Sequence, residues 1–107
     1  MNQYAFTFFV AGSGELATRA LANFDRLIRS QLSDRCTLTI IDVLKEPRRA
    51  REHRVVATPM LVRHQPLPVV KILGDLSQES KVLAQLGLNG PDGTANRPAS
   101  EPKRIKD

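Results

Sequence analysis

The residues able to carry covalent or metal chemistry are few. The chain has one cysteine, Cys36, and two histidines, His53 and His64. The thiolate is the species that exchanges disulfides or holds soft metals, and Arg35 beside Cys36 favours it slightly. A single cysteine closes no internal disulfide, so a disulfide scaffold is excluded. Zinc needs three or four converging ligands, and Cys36, His53 and His64 follow no zinc spacing. No serine lies in a nucleophile elbow. Gly12-Ser13-Gly14 follows an apolar run, as a phosphate loop would. It lacks the third glycine of a dinucleotide fingerprint and the Lys-Ser/Thr pair of a P-loop. No catalytic constellation assembles, and neither metal nor cofactor is expected. The residues point to binding rather than catalysis.

The elements that must position these residues are readable in outline. Tyr4 to Val10 (YAFTFFV) is aromatic and β-branched and reads as a buried strand. After Ala11-Gly12-Ser13-Gly14, apolar residues recur at Leu16, Ala17, Ala20, Leu21, Phe24, Leu27 and Ile28, one face of a helix. Ser13 is its expected cap, with Glu15 in the first turn and Arg26 and Arg29 near the end. Thr37 to Val43 is a second strand, parallel to the first by the βαβ rule. Pro47 suits the first turn of a short helix. Pro59 interrupts the apolar run Val55 to Val62, and Val69 to Leu73 forms a further strand ended by Gly74. Ser77 is the expected cap of a last helix through Leu86, stopped by Gly87. The order β-α-β-α-β-β-α is a thioredoxin-like α/β domain. Thr58-Pro59 stands where such folds place a cis-proline, though a trans proline in a plain loop fits the pattern equally. The redox motif of that fold would fall at Ala11 to Leu16, which holds no cysteine. Thiol exchange, if any, would have to use Cys36.

Length and charge bound the rest. The 107 residues fit one domain, expected over 1–88, followed by a flexible, basic, Pro/Gly-rich tail over 89–107. Lys plus Arg number 16 against 11 acidic residues, net +5. The excess is concentrated in Lys45 to Arg54 (KEPRRAREHR), with five basic and two acidic residues. Such a run is a solvated helix face or a phosphate-binding patch. Four of the five aromatics lie in the first strand, so no basic surface interleaved with stacking residues is visible and specific nucleic-acid readout is unsupported. No apolar run reaches membrane length and no signal peptide is apparent, so a cytoplasmic location is expected.

Several stretches together carry a family resemblance. Phe9-Val10-Ala11-Gly12, Thr18-Arg19-Ala20-Leu21, Ile41-Asp42-Val43-Leu44-Lys45 with Pro47, Ala57-Thr58-Pro59, and Pro68 followed by Ile72-Leu73-Gly74-Asp75-Leu76-Ser77 occur in order. Lys81-Val82-Leu83 and Leu86 extend the set. Over roughly residues 4–88 the chain resembles the circadian clock KaiB family and the KaiB-like domain of the kinase SasA. With no kinase region following, a stand-alone KaiB homologue is expected.

The resemblance implies a non-catalytic protein that visits two folds. One fold is family-specific and associates as homodimers or homotetramers. The other is thioredoxin-like and docks on the ATPase ring of a KaiC-like partner. The part beyond about Arg51 is the part implied to rearrange, and Pro59, Pro66 and Pro68 break its local propensity. Matching positions nominate Arg19, Lys45, Arg54 and Lys71 as partner-binding cations. Val70 replaces a family arginine, Leu67 interrupts a proline run, and Gln85-Leu86-Gly87 replaces Gly-Leu-Asp. Gln85 removes a helix-weakening glycine and predicts a bias toward the thioredoxin-like fold. The tail is basic where clock members are acidic. That departure weakens a KaiA-like partner most, and it admits a KaiC-linked stress or metabolic role outside a clock.

Overall fold

Strand β1 (Tyr4–Val10) organises the chain, because its Phe6-Thr7-Phe8-Phe9-Val10 run is buried on both faces. A computed structural model describes residues 3–88. Helix α1 (Glu15–Phe24) runs into a π-helical turn at Asp25–Arg29, a last helical turn α2 (Ser30–Leu32) and a 3-10 turn at Ser33–Arg35. Strand β2 (Cys36–Asp42), helix α3 (Pro47–Glu52), strands β3 (Met60–Gln65) and β4 (Val70–Leu73) and helix α4 (Glu79–Leu86) complete the order. The sheet order is β2-β1-β3-β4. β1 pairs parallel with β2, while β3 pairs antiparallel with both β1 and β4.

The two faces of the sheet are built differently. On one, Phe6 and Phe8 meet Phe24 of α1 edge-on, with ring centroids 5.2 and 6.2 Å apart. On the other, Phe9, Ile41, Met60 and Val62 form a cluster flanked by Val43 and Val55. Burying each such side chain contributes about 1.5–3 kcal/mol. The cover of this second face is the six-residue α3, which itself buries no residue. The β1–β3 register slips between Ala5 and Phe6, which pair with Gln65 and Arg63. His64 is the extra residue, so β3 carries a bulge there.

The structure shifts several expected details. β2 begins one residue early, at Cys36, and β4 one residue late, at Val70. Ser13 does not cap α1: Gly14 holds that position, with no side-chain cap. Gly12 turns the chain at φ +74°, which carries Ser13 past the capping position. Ser77 does not cap α4 either. Its N–H donates to Asp75 Oδ1 at 3.1 Å, and Gln78 precedes the helix. Leu16 is 50% exposed, leaving Ala17, Ala20, Phe24, Leu27 and Ile28 as the buried stripe of the long helical segment. Leu27 and Ile28 are both buried within the π turn. In α4, Val82, Leu83 and Leu86 are buried, and Gly87 ends the helix at φ +71°. Among the described residues no helix is long and apolar enough to cross a membrane. The expected tail, 89–107, lies outside the described residues.

Candidate functional site

The loop after β1 lies where a thioredoxin-like fold would hold redox cysteines. Here it is Ala11-Gly12-Ser13-Gly14. Asp42, at the end of β2, ties this loop down. Its Oδ1 accepts the Gly12 and Leu44 N–H groups, each at 2.9 Å. Those bonds, the Gly12 one first, hold its carboxyl below the usual carboxylate range, with Lys45 adding to them. A pocket of about 50 Å³ adjoins the loop, lined by Val10, Ala11, Leu16, Ala17, Thr58 and Pro59. The Thr58–Pro59 bond is cis. The lining is apolar apart from Thr58, and it offers no nucleophile, base or metal ligand.

Cys36 is placed far from this loop. It pairs with Tyr4 at the start of parallel strands whose other ends meet as Val10 and Asp42. Six strand steps put it about 20 Å away. It is 7% exposed, and its Sγ donates to the Ser33 carbonyl at 3.7 Å. That setting is that of a buried structural thiol. Among the described residues no three His, Cys, Asp or Glu side chains converge as metal ligands would. All four phenylalanines are buried, so none offers a base a stacking platform.

The four cations nominated from sequence fall into two places. Arg19, on α1, is committed within the fold: it pairs with Glu15 at 3.1 Å and Asp75 at 3.4 Å. Asp75 is held below the usual carboxylate range, first by the Ser77 hydroxyl and also by Arg19. Lys45, Arg54 and Lys71 gather around α3, on the opposite sheet face. Lys45 stands before the helix and is exposed. Lys71 reaches from β4 to the His53 carbonyl at the helix end, Nζ to oxygen 3.3 Å. Arg54 follows directly.

The end of α3 explains Arg54. The Arg54 N–H donates to the Arg51 carbonyl at 3.1 Å, and the Val55 N–H to the Ala50 carbonyl at 3.0 Å. This is a Schellman stop, whose left-handed residue is usually glycine. Arg54 adopts φ +57° there. Its side chain is exposed, and with Arg48 and Arg51 it has no carboxylate partner among the described residues. Arg49 alone in the cluster pairs locally, with Glu46 at 3.3 Å. Exposed apolar residues border the patch: Val56, 83% exposed, and Leu73.

Sequence reasoning missed the roles of Asp42 and of the two histidines. Asp42 carried a signal, an acidic residue ending a strand and leading into a turn. The histidines carried none, since their approach depends on the β3 bulge.

The fold and this site define a class: a thioredoxin-like domain whose redox position holds no thiol and whose outstanding surface is a cationic face. The N-terminal domain of SasA from Synechococcus elongatus superposes with a TM-score of 0.66 at 20% identity, over 80% of this chain and 85% of that one. The Drosophila melanogaster thioredoxin Deadhead does so at 0.62 and 16% identity, over 79% and 82%. At these identities the likeness is one of fold. The sequence goes further. Residues 7–88 match the KaiB domain. The circadian clock protein KaiB3 of Synechocystis sp. is 37% identical over 89 residues, 83% of this chain and 85% of that protein. The circadian clock oscillator protein KaiB of Synechococcus elongatus is 40% identical over 85 residues, 79% and 83%. The chain belongs to the KaiB family.

Proposed function

We propose that this chain is a non-catalytic binding module that docks on a KaiC-like ATPase ring from the cytoplasm, within a circadian clock or a KaiC-linked stress or metabolic response. The observation that carries this is Arg54. A strained left-handed position is filled by an arginine whose guanidinium points to solvent, beside Lys71 and at the end of a helix rich in unpaired cations. Strain kept at an exposed charge fits a contact with a partner. Arginine suits bidentate pairing with carboxylates, so an acidic ring face with some apolar surface for Val56 and Leu73 is the complement. Lys45 extends the surface to the start of α3. Arg19 plays the smaller part, because its charge is already shared by Glu15 and Asp75. A KaiA-like partner is the weaker reading.

Family membership and the broken second half support fold switching, with the thioredoxin-like fold as the docking form. Self-association into dimers or tetramers would belong to the other fold. Size-exclusion chromatography with light scattering tests the proposal, using the full chain alone and mixed with the KaiC-like ATPase of the same source plus ATP. Co-elution with the ring is expected, lost in Arg54→Glu and Lys71→Glu and largely kept in Arg19→Gln. Absence of a complex after hours of incubation would overturn it.

A further inference from the structure

The sheet face under α3 holds a pair of histidines. The β3 bulge turns His64 back over β1, where its Nε2 and Thr7 Oγ1 share a hydrogen bond of 2.8 Å. His53, just past α3, sets its ring 5.9 Å from that of His64 and 5.3 Å from that of Phe9. Both histidines are half-buried. Because α3 buries no residue of its own, its seat on the sheet is made just beyond its end, by His53 and by Val55 against the Phe9 cluster. The same residue, His53, offers its carbonyl to Lys71.

We propose that His53 and His64 form a proton-operated latch, which seats the end of α3 on the sheet when the rings are neutral and releases it when the pair takes up a proton.

The surroundings give the latch its sign. From α3 and the turn after it, the charged groups near the pair are Arg51, Glu52 and Arg54. From β4 it is Lys71. β1 presents Thr7 and Phe9, β2 presents Thr39 and Ile41, and β3 presents Met60 and Val62, none of them charged. Arg63 is directed elsewhere, donating to the Pro68 carbonyl at 2.9 Å. Among the described residues no carboxylate hydrogen-bonds either ring. A proton therefore arrives in a half-buried place where no carboxylate is bonded to either ring. Burial first, and His53 second, hold His64 below the ordinary imidazole range. A folded-state value below the unfolded one means the seat is fully stable above about pH 6.5 and weakens as pH falls through the folded value. Arg54 and Lys71 would loosen with it. The latch rests on this geometry and holds whatever the partner is.

An NMR titration of the full chain from about pH 8 to about pH 5 tests it, following the imidazole protons and the backbone amides. His64 is expected to titrate below the ordinary histidine midpoint. The amides of residues 50–55 and of Lys71 should move with that same midpoint, and His53→Gln should raise it. His64→Gln should leave those amides nearly still over this range. Stationary α3 amides in the wild-type chain, or two rings titrating independently near the ordinary value, would overturn the proposal. The wild-type titration decides this even where a variant does not fold.

Discussion

Arg54 sits in a backbone conformation that glycine adopts at lower cost. The left-handed region costs an L-residue about 1–2 kcal/mol, and glycine gives back part of that through its freer unfolded chain. Arg54→Gly is therefore expected to raise stability by roughly 0.5–1 kcal/mol, read as a higher Tm. The same change removes the exposed guanidinium and should weaken ring binding. Opposite signs in the two measurements separate a binding residue from a merely tolerated one. If Tm rises and binding is unchanged, the arginine has no role in docking. Asp42 makes the contrasting case, a residue whose work is internal. Asp42→Asn keeps the shape but loses the charge that the Gly12 and Leu44 N–H groups stabilise. Hydrogen exchange of these two amides should speed up, with β4 unaffected. Because the Asp42 carboxyl titrates below its ordinary value, its contribution is complete above about pH 4 and lost as acid protonates it.

The elements differ in how much of them the sequence displays. β1 is plain from Tyr4 to Val10 because aromatic and β-branched residues prefer a pleated, buried strand. α3 follows from Pro47, whose missing N–H costs nothing in a first turn, and the end of α4 from Gly87. These signals are local. The errors arise where a distant group decides. Gly14 displaces Ser13 because Asp42, thirty residues on, fixes the Gly12 turn. Ser77 answers to Asp75, which Arg19 and Asn23 of α1 hold in place. Leu16 leaves the buried stripe because it lies at the loop end of α1, where it lines the pocket with Thr58 and Pro59 instead. The candidate site divides in the same way. Its charge is written in Lys45 to Arg54, while the left-handed Arg54 appears only where α3 stops and the facing histidines only once β3 bulges. Two substitutions probe elements directly. Phe24→Ala empties the space beside Phe6 and Phe8 and should cost about 3–5 kcal/mol in a denaturant melt. Gln85→Gly, on the exposed side of α4, weakens that helix by about 1 kcal/mol and should shift population away from the thioredoxin-like fold. NMR secondary shifts over 79–86 that stay fully helical, with no second set of resonances, would count against a two-fold equilibrium.

At the scale of the whole molecule, the net charge of +5 and its concentration around α3 make association a question of rate. Long-range attraction between opposite charges speeds encounter, and salt screens it, with a Debye length of about 10 Å at 0.1 M. Short apolar contacts, such as those open to Val56 and Leu73, act after encounter and set how long a complex lasts. The on-rate for the ring should fall about tenfold or more between low and high salt, while the off-rate changes less. Arg54→Glu should flatten this salt dependence, since it removes one of the charges doing the steering. Arginine and lysine stay protonated across the physiological range, so they lend binding no pH dependence of their own. Any loss of on-rate at constant salt as pH falls from about 7.5 to about 5.5 must come from groups that titrate in that window. Imidazole is the side chain whose ordinary range falls there, and His53 and His64 both lie beneath the cations proposed to meet the partner. A pH-dependent on-rate that disappears in His64→Gln would therefore join the two proposals. One that survives in that variant would place the proton on the ring.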